Sequence, residues 1–254
     1  MSASPRFLRH PRRLLAALSA LTVAACALLA GPAAPRAEAI IGGAEAGQQR
    51  GAAQVWLGPD GSVDSDKKFI CTAGVIHREW LITAKHCLVN HDRPSANRLW
   101  IRAGDRTLGK GERRQVVRYE LADANDLALL RVSRPFPSSV KINSISNRGV
   151  TPSTGSNVAV SGWGYPSYVD QHPSRKLKVA SMRVQRLDDG SPSFLFAAEN
   201  DGHNLEGDSG GPVVLGTRQI GVTAKYNPLI GEASIVPLGL PDIHDWITRH
   251  VPIP

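Results

Sequence analysis

The chain has 254 residues, 42% hydrophobic and 20% charged, an ordinary globular composition with enough apolar material for a core. Its length allows one large domain or two small ones. The formal charge of +8 is concentrated at the start: residues 1–39 carry five Arg and one Glu, leaving 25 basic and 21 acidic residues beyond them, about +4. So small an excess, with no dense basic run interleaved with aromatics, argues against nucleic acid as a partner.

Residues 1–39 read as a secretory signal. A basic start (Arg6, Arg9, Arg12, Arg13) precedes an apolar run from Leu14 to Ala30, and the segment ends in Ala37-Glu38-Ala39. Ser19 and Thr22 interrupt the run and Gly31-Pro32 follows it, which disfavours a stable membrane anchor. Val23-Ala24-Ala25-Cys26 resembles a bacterial lipoprotein box, but the run continues past Cys26, so that thiol reads as filler. Arg12-Arg13 resembles a twin-arginine signal with poorly matching flanks. The expected mature chain, 40–254, is secreted and extracellular. It keeps Cys71 and Cys87, an even pair for which a disulfide is the default in an exported protein. Closing a loop of that length stabilises by roughly 3 kcal/mol in the chain-entropy view.

From Ile40 onward the pattern is one of short strands. The expected strands are 68–76, 80–84, 97–104, 113–121 and 126–132, rich in β-branched and aromatic residues. A connector with Pro135 and Pro137 follows, then a second set at 156–164, 175–187, 210–216, 218–226 and 232–238. One helix is expected over 242–251, where Ile243, Trp246, Ile247 and Val251 recur at helical spacing. Asp242 lies in its first turn, Arg249 and His250 near its end, and Pro252 stops it. Regularly punctuated strands in two sets indicate barrels or sandwiches.

The residues with chemistry lie between these strands. Ser209 sits in Gly207-Asp208-Ser209-Gly210-Gly211-Pro212, a tight turn whose small neighbours admit a substrate carbonyl. The amides of Gly207 and Ser209 are candidate oxyanion donors. Gly207-x-Ser209-x-Gly211 also satisfies the nucleophile-elbow pattern of α/β-hydrolases. A serine hydroxyl needs a base, and the base needs an orienting group. His86, directly before Cys87 at the end of an apolar strand, is the candidate base. Asp126, opening the apolar run 126–132, is the candidate acid. An α/β-hydrolase needs an acid and then a histidine after its serine. Here those would be Asp242 or Asp245 with His244 or His250, all crowded into one short helix, and the βαβ alternation is missing. His77, His91, His172, His244 and His250 show no metal-ligand spacing; no metal or other cofactor is expected.

Five blocks occur in order: IIGG (40–43), TAKHC (83–87), DLALL (126–130), SGWG (161–164) and GDSGGP (207–212). Together they resemble the signature blocks of the chymotrypsin/trypsin-like serine proteases, over essentially all of 40–254. The resemblance implies an all-β fold of two six-stranded antiparallel barrels, about 40–140 and about 141–254, with the active site in the cleft between them and a C-terminal helix. It implies a secreted, monomeric serine endopeptidase acting on peptide or protein substrates through an acyl-enzyme and open to protein inhibitors. In it His86 is general base, Asp126 its orienter, Ser209 the nucleophile, and Gly207 and Ser209 the oxyanion donors. Trp163 and Gly164 belong to a loop near the second barrel's binding region. It also implies that a new amino terminus at Ile40 pairs with Asp208 to shape the oxyanion turn. Ala37-Glu38-Ala39 stands directly before Ile40, so removal of the leader would itself create that terminus. The alternative is an earlier cut, for instance after Ala34, with later trimming. The competing class is a catalytically inactive homologue serving as a binding module.

The substrate pocket departs from the family pattern. His203 stands six before the serine, where trypsin-like members carry aspartate, with Asp201 two residues away. Leu205 replaces the usual cysteine, and Glu206 precedes the oxyanion glycine, where it favours a basic substrate group. Ala224, Lys225 and Tyr226 fill the places of a Ser-Trp-Gly or Ser-Tyr-Gly run. Ala224 lacks the hydroxyl that helps hold the acid, Tyr226 is expected to narrow the pocket, and 232–238 has no glycine for the facing wall. These residues assign no preference for the side chain before the cleaved bond.

Overall fold

The structure, a computed structural model, describes residues 40, 43–58, 69–187, 195–199, 205–227 and 232–253. In Leu99-Trp100-Ile101-Arg102-Ala103 alternate side chains are buried, and Trp100 and Arg102 face outward. That period of two builds the first barrel. After the two-residue β1 (Ala44–Glu45), its strands are β2 (Ala52–Leu57), β3 (Phe69–Val75), β4 (Trp80–Thr83), β5 (Leu99–Ala103), β6 (Glu112–Leu121) and β7 (Ala128–Val132). They close antiparallel in the order β2-β3-β4-β7-β6-β5 around Val55, Ala73, Val75, Leu81, Ile101 and Leu130.

The second sheet holds β8 (Ser144–Ile145), β9 (Asn157–Gly162), β10 (Lys178–Leu187), β11 (Leu195–Glu199), β12 (Pro212–Leu215), β13 (Arg218–Asn227) and β14 (Glu232–Pro237). Its pairings run β9-β10-β11-β14-β13-β12 and return to β9. Val158, Val160, Met182, Val213 and Ile235 lie among its buried residues. β1, the first described strand, pairs with β10 of this second sheet, and Ile40 before it is buried.

A third cluster packs the two halves together. β4 and β7 turn Leu81 and Leu130 into their own barrel and Ile82 and Leu129 onto Val222, Val236 and Leu238 of the second half. Burial on both faces explains why these strands read as unbroken apolar runs rather than alternating ones. The helix α2 (Pro241–His250) seals this cluster with Ile243 and Ile247, and Arg148 pairs with its Asp245 at 2.7 and 2.9 Å. A four-residue helix, α1 (His86–Val89), follows β4. No helix among the described residues is long and apolar enough to cross a membrane.

The fold is the mostly-β, two-part architecture expected, with its C-terminal helix in place. Four strands, β1, β2, β8 and β11, carry no clear signal in the sequence. β2 is the instructive case: Ala52, Ala53, Gln54, Val55 and Trp56 are all buried, so neither alternation nor a long β-branched run marks it.

Candidate active site

His86 is placed from two sides. β4 delivers it at the start of α1, and a disulfide between Cys71 and Cys87, 16 residues apart, straps the next residue to β3. Asp126 lies in the turn before β7. One carboxylate oxygen accepts the His86 backbone N–H at 2.9 Å, and the other meets His86 Nδ1 at 2.7 Å. A carboxylate only accepts, so Nδ1 carries the proton and a neutral ring has its lone pair on Nε2. Burial raises the Asp126 carboxyl. The hydrogen bonds and charge of His86, with the nearby charge of Lys225, outweigh that and hold it below the ordinary range. Lys85 secures the same turn: its Nζ donates to the carbonyls of Ala122 at 2.6 Å and Asp123 at 3.1 Å.

The Ser209 turn is stitched to both halves. Gly210 N–H donates to Thr223 at 2.7 Å and Thr223 N–H to Gly211 at 3.0 Å, anchoring it on β13. From the first barrel, Thr72 N–H donates to the Ser209 carbonyl at 3.0 Å and Thr72 Oγ1 to the Gly207 carbonyl at 2.8 Å. Thr83 Oγ1 in turn donates to the Thr72 carbonyl at 2.8 Å. The approach is close enough to require glycine at 210. A Cβ there would lie 2.0 Å from Thr83 Oγ1 and 2.2 Å from the Thr72 carbonyl oxygen, and φ is +82°. Gly207, at φ +94°, is likewise in a conformation that favours glycine.

The structure therefore joins His86 to Asp126 and brings the Ser209 carbonyl to 3.8 Å from Cys87 Sγ, beside His86. Ser209 Oγ donates to the Ala224 carbonyl at 3.4 Å; among the described residues it has no hydrogen bond to His86. The amides of Gly207 and Ser209 have no partner among the described residues. Cys71, His86 and Cys87 each place a ligand-type atom within 4.8 Å of the others, but the two sulfurs are bonded to each other and offer no thiolate to a metal.

Asp208 is fully buried. Its carboxylate accepts N–H bonds from Gly164 at 2.7 Å and Leu205 at 2.9 Å, with no cation beside it among the described residues. Burial pushes its carboxyl up to about 7 against the pull of those two bonds. No bond among the described residues joins Ile40 to Asp208; in this chain Ile40 is still peptide-linked and has no free amine to offer. It is buried with φ +49°, an unfavourable conformation for a β-branched residue.

Of the expected pocket residues, His203 lies outside the described residues. Glu206 is exposed; its carbonyl accepts the Tyr165 N–H at 2.9 Å. Burial raises the Tyr165 phenol, and the Glu206 charge adds to that. Ala224 is buried, at a β-bulge between Thr223 and Lys225 that turns its carbonyl toward Ser209. Thr223 does not replace the missing hydroxyl: its Oγ1 is buried without a partner among the described residues. Tyr226 is half-buried and packs against the second sheet's core cluster. Thr72, Thr83 and Lys85 were not singled out from the sequence. Lys85 alone had a visible signal, as a long cation directly before the candidate base.

The trypsin family model matches residues 40–247. Serine protease SP24D of Anopheles gambiae is 31% identical over 191 residues, 70% of this chain and 69% of that protein. Hypodermin-B of Hypoderma lineatum is 27% identical over 71% of this chain and 77% of its own length. Among solved structures, human heparin binding protein superposes with a TM-score of 0.68 at 20% identity, covering 84% of this chain and 99% of that one. A scabies mite inactivated protease paralogue superposes at 0.70 with 20% identity, covering 83% and 98%. Such identities establish the shared fold alone, whereas the family match extends from the first described residue into the C-terminal helix: the chain belongs to the trypsin family of serine proteases.

Proposed function

We propose that this protein is a serine endopeptidase in which Ser209 attacks, His86 is the base and Asp126 orients it. The observation that carries the reading is the His86–Asp126 pair, closed through both the ring and the backbone N–H at 2.7 and 2.9 Å. It fixes the tautomer that leaves Nε2 free to take a proton. Ser209 Oγ would add to the carbonyl carbon of a peptide bond as its proton passes to Nε2. The resulting oxyanion would sit on the amides of Gly207 and Ser209. Collapse expels the amine, which takes the proton from His86, and water repeats the sequence on the acyl-enzyme. The 3.4 Å bond to Ala224 is the resting orientation of the hydroxyl; catalytic hydrogen bonds commonly tighten only with substrate present.

The enzyme is exported, with residues 1–39 as the signal, acts on peptide or protein substrates, and works as a monomer open to protein inhibitors. Cleavage before Ile40 supplies the ammonium that pairs with Asp208. The second reading, an inactive binding module, draws on the irregular pocket and on the Ser209 hydroxyl, whose bond among the described residues goes to the Ala224 carbonyl. Against it stands the retention of all three triad residues.

A fluorophosphonate probe separates the two. Processed protein is expected to be labelled once per chain, at Ser209, with labelling lost in Ser209→Ala. No labelling of correctly processed protein would favour the binding module. A peptide-library cleavage profile would then define the preference that His203, Glu206 and Tyr226 set.

A further inference from the structure

A cleft of about 180 Å³ opens between the start of β2 and the β12–β13 turn. Gln48, Arg50, Lys141, Asn143 and Thr217 line it, with no acidic side chain among the lining residues. Arg50 reaches this place at a cost. It and Gly51 are the central residues of a turn closed by the Ala52 N–H on the Gln49 carbonyl at 2.9 Å, and both have positive φ, +50° and +64°. That is the pattern of a type I′ turn, where Asn, Asp or Gly is favoured and an arginine is strained. Asn143, itself buried, holds the turn by donating to the Arg50 carbonyl at 3.0 Å. The Arg50 Nε is buried without an acceptor, and no carboxylate pairs with the guanidinium among the described residues. An unpaired, partly desolvated donor of this kind is unfavourable unless an anion meets it.

We infer that this cleft is an oxyanion site that takes a phosphate or sulfate group. Arg50 supplies the planar fork, Lys141 a mobile point charge and Thr217 a hydroxyl donor, the set that suits a tetrahedral dianion. The volume, roughly six waters at ~30 Å³ each, fits one such group and its hydration. Arg50 and Lys141 flank the first barrel and Thr217 belongs to the second sheet, so the bound group clamps the two halves together and stabilises the folded protein by linkage.

The test uses the whole processed chain. Its Tm is measured in inorganic phosphate, in sulfate, and in chloride at matched ionic strength, which separates site binding from screening. With phosphate at about tenfold its Kd, Tm is expected to rise by roughly 3–6 °C over the chloride control. Arg50→Asn suits the turn better, so it folds with an unchanged or higher Tm in chloride and loses the phosphate shift; Lys141→Gln weakens the shift. A phosphoserine peptide and its serine counterpart identify the source. If the phosphopeptide acts at lower concentration than inorganic phosphate, the group arrives on a protein; if inorganic phosphate acts at the lower concentration, the ligand is the free ion. No shift in the wild-type chain, or the same shift in Arg50→Asn, overturns the site. So does a lower Tm of Arg50→Asn in chloride, because the arginine would then be holding its own turn.

Discussion

Asp208 is a carboxylate in the interior with two N–H partners and no cation among the described residues, and this gives the uncut chain a distinctive pH dependence. Its folded pKa, about 7, lies above the unfolded value near 4. The folded form therefore holds its proton longer. Its contribution is fully present below pH 4 and is lost as pH rises through 7, a change on the order of 4 kcal/mol. Once the chain is cut before Ile40, the new ammonium would stabilise the ionised carboxylate and remove that loss. The amine brings its own dependence. With a folded pKa raised above about 8, its stabilisation is present below that value and fades as pH rises through the folded one. Thermal melts of uncut and cut protein should diverge between pH 4 and 7, with the uncut form falling and the cut form not. Superimposable profiles would contradict the pairing of Ile40 with Asp208.

Single elements carry the geometry of the His86–Asp126 pair. The turn bearing Asp126 is tied down by Lys85, whose ammonium bridges two of its carbonyls. Lys85→Met should leave the fold intact and lower kcat/KM by roughly 5- to 20-fold, as loss of a charge-assisted pair of bonds on a partly exposed group suggests. Steady-state kinetics should show the change mainly in kcat, and Lys85→Arg should recover part of it. An unaltered kcat in Lys85→Met would show that the turn holds itself. The Cys71–Cys87 disulfide joins β3 to α1 and so couples His86 to Thr72, the residue that clamps the Ser209 turn. Replacing both cysteines by alanine should cost roughly 3 kcal/mol. At the usual scaling for a chain of this size, Tm should drop by about 6–12 °C. Calorimetry on the double variant measures this directly.

At the scale of the molecule, the candidate site exists because two closed sheets meet. His86 and Asp126 come from the first barrel, Ser209 from the second sheet, and Thr72 crosses from one to the other. The proposed maturation belongs to this scale too, because β1, just after Ile40, pairs with the second sheet. Active protein isolated from the medium should begin at Ile40 on N-terminal sequencing. Another starting residue in active enzyme would show that the leader does not create the activating terminus. The sequence alone made the family legible: the blocks around His86, Asp126 and Ser209 keep their order and local spelling. Strands with strong local patterns, such as Leu99–Ala103, and the amphipathic helix Pro241–His250 were legible for the same reason, since side-chain periodicity is a local property. Only the tertiary structure decided what depends on residues far apart in the chain. β2 became a strand because both of its faces are covered. Thr72 became a clamp because Gly207 arrives 135 residues later. Asp208 acquired its raised pKa because the closed fold excludes water from around it, and desolvation depends on the whole surrounding shell rather than on neighbours in sequence.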